Sequence, residues 1–389
     1  MKWLYENWSK STINMRNLIV LQVVFCIFVA SCTQPAKTAK EEDTGIKEID
    51  IISNISNNQK INLSAVASNI EYCLLETDKK CLVVPHMVVY CSKEYIVTLG
   101  QQTDNHFVCF IFERATGKFV RQISRMGQGP NDFQFVYNEF WDEINEQICV
   151  ACNNQFAFYN LDGTLSHKTS SLQFGGFYFI AHNDFYIKYV PNRYGNSTIR
   201  IAFFDKTGAL VDSIPNYKSW KKISRRIVTN SADAQFHIFG NNLYYKDNFC
   251  DTMYQIEEFT LQPKYIFNTG SRYVPYELQD GGGFDFTQSS SGISIIDHYK
   301  KYFVFDKFFE DNQHLYFTFD YNQMKYRAMY DKTKDMLQIM PPISTAPSER
   351  IHRFRILYGF ENDLDGGLPF WPKQMISEKE MMCVYTAEE

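Results

Sequence analysis

The sequence predicts an all-β fold: a six-bladed β-propeller of four-stranded antiparallel blades, its ring closed by N-terminal strands. Three observations carry that reading. Aromatic residues make up 16% of the chain, with Phe and Tyr far ahead of Trp, and such side chains suit pleated, half-buried strands better than helices. A short strand, turn, strand phrase recurs along the chain. Its first copies are spaced in the forties, the length of one propeller blade.

The phrase runs Ile111-Phe112-Glu113-Arg114-Ala115-Thr116-Gly117-Lys118-Phe119, then Phe158-Tyr159-Asn160-Leu161-Asp162-Gly163-Thr164-Leu165, then Phe203-Phe204-Asp205-Lys206-Thr207-Gly208-Ala209-Leu210. Looser copies follow at Met253-Tyr254-Gln255 and Met329-Tyr330-Asp331-Lys332-Thr333. In each full copy the aromatic residue packs a strand end, the Asp or Asn side chain bonds the turn backbone, and Gly takes the positive φ of a tight hairpin. The anchors Phe112, Tyr159 and Phe204 lie 47 and 45 residues apart. A further strand precedes each copy, at Tyr95–Leu99, Gln147–Val150, Phe185–Ile187, Leu243–Tyr245 and Leu315–Phe319, and an innermost strand fits before each of these. Five blades are thereby legible. The sixth is expected to combine Ile351–Tyr358 and Met381–Tyr385 with Ile46–Ile52 and Ile70–Leu75, which leaves no blade half-paired. The long gap from Tyr254 to Tyr330 reads as one blade plus a loop, because Gly281-Gly282-Gly283 and Ser289-Ser290-Ser291-Gly292 interrupt the strand pattern; a seven-bladed count is the structural alternative.

Ahead of the propeller, expected over 46–389, stands a secretory signal over residues 1–31. From Met15 the chain has a basic start at Arg16 and an apolar run from Leu18 to Ala30, too short for a membrane span of about 20 residues. Because that signal is complete from Met15, Met15 reads as the true initiator. Val29-Ala30-Ser31-Cys32 resembles the lipobox of bacterial lipoproteins, which implies cleavage before Cys32 and lipid on its sulfur. Residues 32–45, with Glu41-Glu42-Asp43, lack apolar periodicity and read as a disordered tether. Thr33, standing where an Asp would retain such a protein at the inner membrane, points to the outer membrane and so to the cell envelope.

Removing residues 1–31 takes away Lys2, Lys10, Arg16 and Glu6, leaving 36 basic against 43 acidic side chains, a net charge of −7. That acidity argues against nucleic acid as a partner. Of ten cysteines, Cys26 leaves with the signal and Cys32 is the lipid site. The other eight sit among strand-forming residues, where Cys serves as a small buried apolar group, and mostly free thiols are expected.

Two further stretches carry a family likeness. Arg125-Met126-Gly127-Gln128-Gly129-Pro130-Asn131-Asp132-Phe133 resembles the inter-blade phrase of NHL-type propellers, although it occurs once only. Asn362-Asp363-Leu364-Asp365-Gly366-Gly367-Leu368-Pro369-Phe370-Trp371-Pro372 is similar to the C-terminal signature of the six-bladed β-propeller lipoproteins of Gram-negative gut bacteria, and Leu75-Glu76-Thr77 fits their opening strand. The resemblance implies the fold and the anchor; it implies no activity.

The candidate sites are few. Asp363 and Asp365 place oxygen ligands at alternate positions before a Gly, as a calcium loop does, but Pro372 stands where an EF-hand needs its closing Glu; a turn held by its own side chains is the competing reading. Asp285, in Gly281–Phe286, lies where a ligand can approach bare backbone. Cys149 and Cys152 have a CxxC spacing, but on a strand they point to opposite faces. Lys218, Lys221, Lys222, Arg225 and Arg226 beside Trp220 form a basic cluster that reads as a solvated face. The histidines (His86, His106, His167, His182, His237, His298, His314, His352) show no HExxH spacing, and neither a GxSxG elbow nor a P-loop is present. The expected function is therefore a membrane-anchored binding or scaffold module for a protein or polysaccharide partner. The alternative is a metal-dependent hydrolase or lyase with its site in the central channel; a third reading is an assembly factor for outer-membrane proteins.

Overall fold

Apolar strands joined by turns of a few residues pair first with their neighbours in the chain, and the computed structural model is built from such meanders. It describes residues 45–83, 87–101, 107–123, 138–142, 145–152, 155–170, 179–192, 194–220, 233–280, 300–344 and 358–385. Strand β1 (Lys47–Asp50) leads into a one-turn helix α1 (Ile51–Asn54). The first blade is β2 (Val88–Cys91), β3 (Tyr95–Gln101), β4 (Phe107–Glu113) and β5 (Phe119–Ile123); the second is β6 (Asn138–Asp142), β7 (Gln147–Cys152), β8 (Gln155–Asn160) and β9 (Leu165–Lys168). The third is β10 (Phe179–His182), β11 (Phe185–Tyr189), β12 (Ile199–Phe204) and β13 (Leu210–Pro215). The fourth is β14 (Ala234–Phe239), β15 (Asn242–Asp247), β16 (Thr252–Glu257) and β17 (Thr260–Asn268). The fifth is β18 (Val304–Glu310), β19 (His314–Tyr321), β20 (Met324–Asp331) and β21 (Met336–Ile339), with β22 (Ile343–Ser344) also paired to β20. Pro341 and Pro342, which have no N–H to give a ladder, separate β21 from β22. A hairpin, β23 (Gln374–Ser377) and β24 (Glu380–Met382), ends the described fold.

The recurring phrase forms the turn between the third and fourth strands of its blade. Gly117, Gly163 and Gly208 have φ of +69°, +87° and +85°. Asp162 Oδ1 accepts from Thr164 N at 2.8 Å and Asp205 Oδ1 from Thr207 N at 2.8 Å.

Aromatic wedges fill the spaces between blades. Phe140, Phe156 and Phe158 of the second blade meet Phe179, Tyr186 and Phe204 of the third, with Phe156 and Phe179 edge-to-face at 4.2 Å. Tyr244 and Phe267 of the fourth blade meet Phe305, Phe317 and Tyr330 of the fifth in the same way. Each such ring contributes about 1.5–3 kcal/mol by leaving water, plus about 1 kcal/mol for a well-set aromatic pair.

Two expectations need correction. Among the described residues the propeller has five four-stranded blades, not six; the sixth place, between β18 and β2, holds only the β23–β24 hairpin. The Gln374 side chain stitches that hairpin to the first blade, accepting from Cys91 N at 2.8 Å and donating to Cys91 O at 3.2 Å. The N-terminal strands, moreover, do not close the ring. β1 pairs in parallel with β17, so Lys47–Asp50 of the expected Ile46–Ile52 strand extends the outer edge of the fourth blade, and Ile70–Leu75 forms no strand. An alternating segment satisfies either kind of edge, and here the buried Ile49 and Ile51 pack it against the fourth and fifth blades. Ile351–Leu357, also expected in the sixth blade, lies outside the described residues.

From β1 the chain continues as a strap over successive outer edges. Ile49 and Ile51 are buried against the fourth and fifth blades. Gln59 N donates to Ile339 O at 2.8 Å, and Leu63 N to Glu361 O at 2.7 Å. Glu76 N then reaches Gly117 O at 2.8 Å in the first blade.

The strap's last hold fixes the residue at the turn. A Cβ on Gly117 would lie 2.0 Å from Leu74 O, at a φ that L-residues resist, whereas one on Gly240 (φ +56°) would meet only Glu378 Oε1, at an ordinary contact distance of 3.8 Å. Gly117→Ala is therefore expected to cost about 3 kcal/mol and Gly240→Ala about 1 kcal/mol, read as urea midpoints. Equal losses would show that the strap yields to the methyl.

Candidate functional site

The sequence-predicted sites scatter. Asp363 anchors the strap, accepting from Ser64 N at 2.9 Å and from Ser64 Oγ at 2.5 Å through its two oxygens. Asp365 Oδ1 accepts from Asn362 Nδ2 at 2.7 Å and Gly367 N at 2.9 Å. These hydrogen bonds hold both carboxyls below the usual carboxylate range. The loop thus spends its carboxylates on its own turn and on Ser64. Cys32, Asp285, the 125–133 phrase and the basic residues after Trp220 lie outside the described residues. Lys218 points inward, donating to Phe249 O at 3.2 Å and sitting 5.3 Å over the Tyr276 ring. Cys149 is buried among the rings of the second and third blades; Cys73, Cys81, Cys91, Cys109, Cys250 and Cys383 are free thiols. Among the described residues no three of His, Cys, Asp and Glu gather as a metal site would require.

The strands assemble ionic groups that no local motif announces. Between the third and fourth blades, Arg200 of β12 is paired with the buried Asp247 at the end of β15. Its Nε also donates to Tyr245 Oη at 3.2 Å, and its guanidinium lies over the rings of Tyr245 and Tyr254 at 5.1 and 5.7 Å. Burial works to raise the Asp247 carboxyl, but Arg200 and Lys246 outweigh it and hold it below the usual range. Between the fourth and fifth blades, the buried Glu310 of β18 meets His237 Nε2 at 3.0 Å, Tyr265 Oη at 3.1 Å and Lys332 Nζ at 3.0 Å. Burial again opposes ionisation, and His237 and Lys332 overcome it. Next in the chain, Asp311 accepts from Tyr316 Oη at 2.6 Å and lies 3.3 Å from His314 Nδ1.

A second arginine environment stands apart. The C-terminal signature closes a loop in which Phe360 and Phe370 exchange backbone hydrogen bonds of 2.7 and 3.0 Å. That closure seats Trp371 on Phe360, with ring centroids 5.5 Å apart, and both against Tyr316 of the fifth blade. The rings of Tyr358 and Trp371 then flank Arg327 of β20, with centroids 3.7 and 5.2 Å from its guanidinium. Unlike Arg200, Arg327 pairs with no carboxylate among the described residues. The acids nearest along the blade are engaged elsewhere, Asp320 with Lys325 at 3.1 Å and Asp331 with Lys334 at 3.0 Å. Burial pushes Arg327 below the usual arginine range, opposed only by the phenols of Tyr358 and Tyr385 and the Cys383 thiol. Its Nε is buried without a hydrogen-bond partner, as are Thr318 Oγ1, directly across the β19–β20 ladder, and Trp371 Nε1. Buried donors are normally satisfied; Arg327 as a whole is half-buried, but its Nε is shut from water with no acceptor in reach. Arg327, with the two rings that flank it, is the candidate functional site. It was not legible in the sequence, where Lys325-Tyr326-Arg327 looks like an ordinary strand with alternate polar residues.

The buried carboxylates set the response to acid. A group whose folded pKa is depressed contributes stability that is complete above its ordinary range, near pH 4, and is lost as pH falls through the folded value. Asp247, Glu310 and Asp311 are all of this kind. The urea midpoint is therefore expected to stay level from neutral pH to about pH 5 and to drop below about pH 4. Glu310→Gln should cost about 3 kcal/mol at neutral pH by stranding its cations, and its acid limb should be shallower. Parallel limbs in the two proteins would remove Glu310 from this account.

Among solved structures, the fold is similar to that of a protein from Bacteroides fragilis assigned as exported, at 17% identity and a TM-score of 0.55 over 82% of this chain and 84% of that one. It also resembles a member of the DUF4221 family from Bacteroides vulgatus, at 13% identity and a TM-score of 0.46 over 69% and 84% of the two chains. The β-propeller domain of the Trilobed protease from Pyrococcus furiosus follows, at 9% identity and a TM-score of 0.33 over 67% and 71%. No curated protein matches the chain. Residues 46–389 match the family model described as a domain of unknown function, DUF4934. The whole propeller, from the strap's first strand to the C-terminal hairpin, lies within that match, and the chain belongs to the DUF4934 family.

Proposed function

We propose that this chain is a binding module held on the outer membrane by lipid on Cys32, and that it presents its propeller to a polysaccharide or protein partner. The observation that carries the binding half is Arg327, a cation flanked by Tyr358 and Trp371 with neighbouring buried hydrogen-bonding atoms left without partners. A stable fold has no use for that arrangement by itself, and an incoming ligand gives it one. The anchoring half rests on the secretory signal from Met15 and on Val29-Ala30-Ser31-Cys32. The likeness to an exported Bacteroides fragilis protein supports a place outside the cytoplasm.

Lipid attachment predicts partitioning. In a Gram-negative host, the full-length chain is expected to take up labelled fatty acid and to sediment with outer membranes until detergent is added. Cys32→Ala should take up no label. Equal labelling of the two would remove the anchor. For binding, the detergent-solubilised chain is expected to retain at least one polysaccharide or envelope protein when immobilised and challenged with a panel of both; a blank panel would count against the binding role.

A further inference from the structure

We infer that the ligand of the Arg327 site, where the fifth blade meets the C-terminal loop, carries a carboxylate with a hydroxyl beside it, as a uronic-acid sugar does, and docks that carboxylate on Arg327. The inference rests on the binding reading above and narrows it to acidic saccharides.

The protein itself shows how it finishes an arginine site. Arg200 has two aromatic rings and a carboxylate, Asp247, together with a phenolic oxygen on its Nε. Arg327 has the two aromatic rings and neither of the other components. What is missing is a planar anion able to accept from Nε–H and a neighbouring Nη–H together, the side-on geometry in which guanidinium and carboxylate match. Tyr358 and Trp371 restrain the guanidinium plane, so little side-chain freedom remains to be lost when the ion arrives.

The remaining orphan atoms narrow the ligand further. Arg327 alone satisfies a carboxylate. Thr318 Oγ1, able both to donate and to accept, and Trp371 Nε1, a donor only, call for hydroxyl groups close to it. Thr318 and Trp371 are 6% and 4% exposed, so only a small group at the end of a ligand can reach them. An acidic side chain of a protein partner brings the carboxylate without the hydroxyl. A uronic-acid residue brings both.

The test uses the full-length chain in detergent, with galacturonate and glucuronate oligosaccharides, the matching neutral oligosaccharides, and an acidic peptide, read by thermal shift and calorimetry. Uronates are expected to raise the melting temperature and neutral sugars to leave it unchanged. Arg327→Met should weaken uronate binding by about a hundredfold, and Arg327→Lys, which keeps the charge but loses the fork, by about tenfold. Without ligand, Arg327→Met should melt no lower than the parent because it removes an unpaired charge; a residue with a structural role would melt lower. Uronate binding undiminished in Arg327→Met, or a response to the acidic peptide alone, would overturn the inference. Binding of neutral saccharides alone would overturn it while leaving the binding module intact. No response to any probe would overturn it too, and would mean that Thr318 and Trp371 are satisfied by water.

Discussion

A twisted four-stranded sheet exposes two apolar faces, and no single blade of this protein can bury either of them. Everything else follows from the need to fill the tapering gaps between neighbouring blades. Flat, wide side chains suit such gaps, which is where the 33 Phe and 25 Tyr of the chain find their use. Four gaps are filled sheet against sheet. Around the β23–β24 hairpin the material among the described residues is mixed. Ile61 and Leu63 from the strap join Phe360 and Trp371 from the C-terminal loop against the fifth blade, and Ile376 and Met382 of the hairpin face the first. That substitution of loop for sheet is what brings two aromatic side chains over Arg327.

The parts of this architecture that could be read in the sequence are those set by local chemistry. The Asp162 and Asp205 turns depend on residues two positions away, so their spacing announces blades without knowledge of the fold. The strap could not be read in this way. Lys47–Asp50 alternates like any blade strand, and its partner Tyr265–Asn268 lies more than two hundred residues on. Asp363 shows the same limit: its sequence neighbours suggest a cation loop, while Ser64, which it holds, is 299 residues away. Arg327 had no signal of its own. The clue lay in the C-terminal signature, whose Trp371 is too large and too deeply buried to be there for the turn alone.

Within its interior the protein treats charge in two ways. Asp247 and Glu310 are surrounded by cations and hydroxyls, so each carboxylate is stable where it stands. Such networks add little net stability over apolar packing, but they fix the angle between adjoining blades because their geometry tolerates no sliding. Arg327 shows the opposite treatment, a charge held in place by rings and left electrically open. The contrast between carboxylates enclosed by partners and an arginine enclosed by rings separates the two kinds of interior charge.

The parallel pairing of β1 with β17 has a mechanical consequence. Lys47 enters beside Tyr265 and the strand runs with β17 as far as Asn268. A force applied through the residues before Lys47, back along that axis, would load the rungs of the ladder together, in shear, rather than peel them one at a time. Beyond them the buried Ile49 and Ile51 would have to be dragged through a packed core before the strap could move. A pull through the residues before Lys47 thus meets the whole ladder at once.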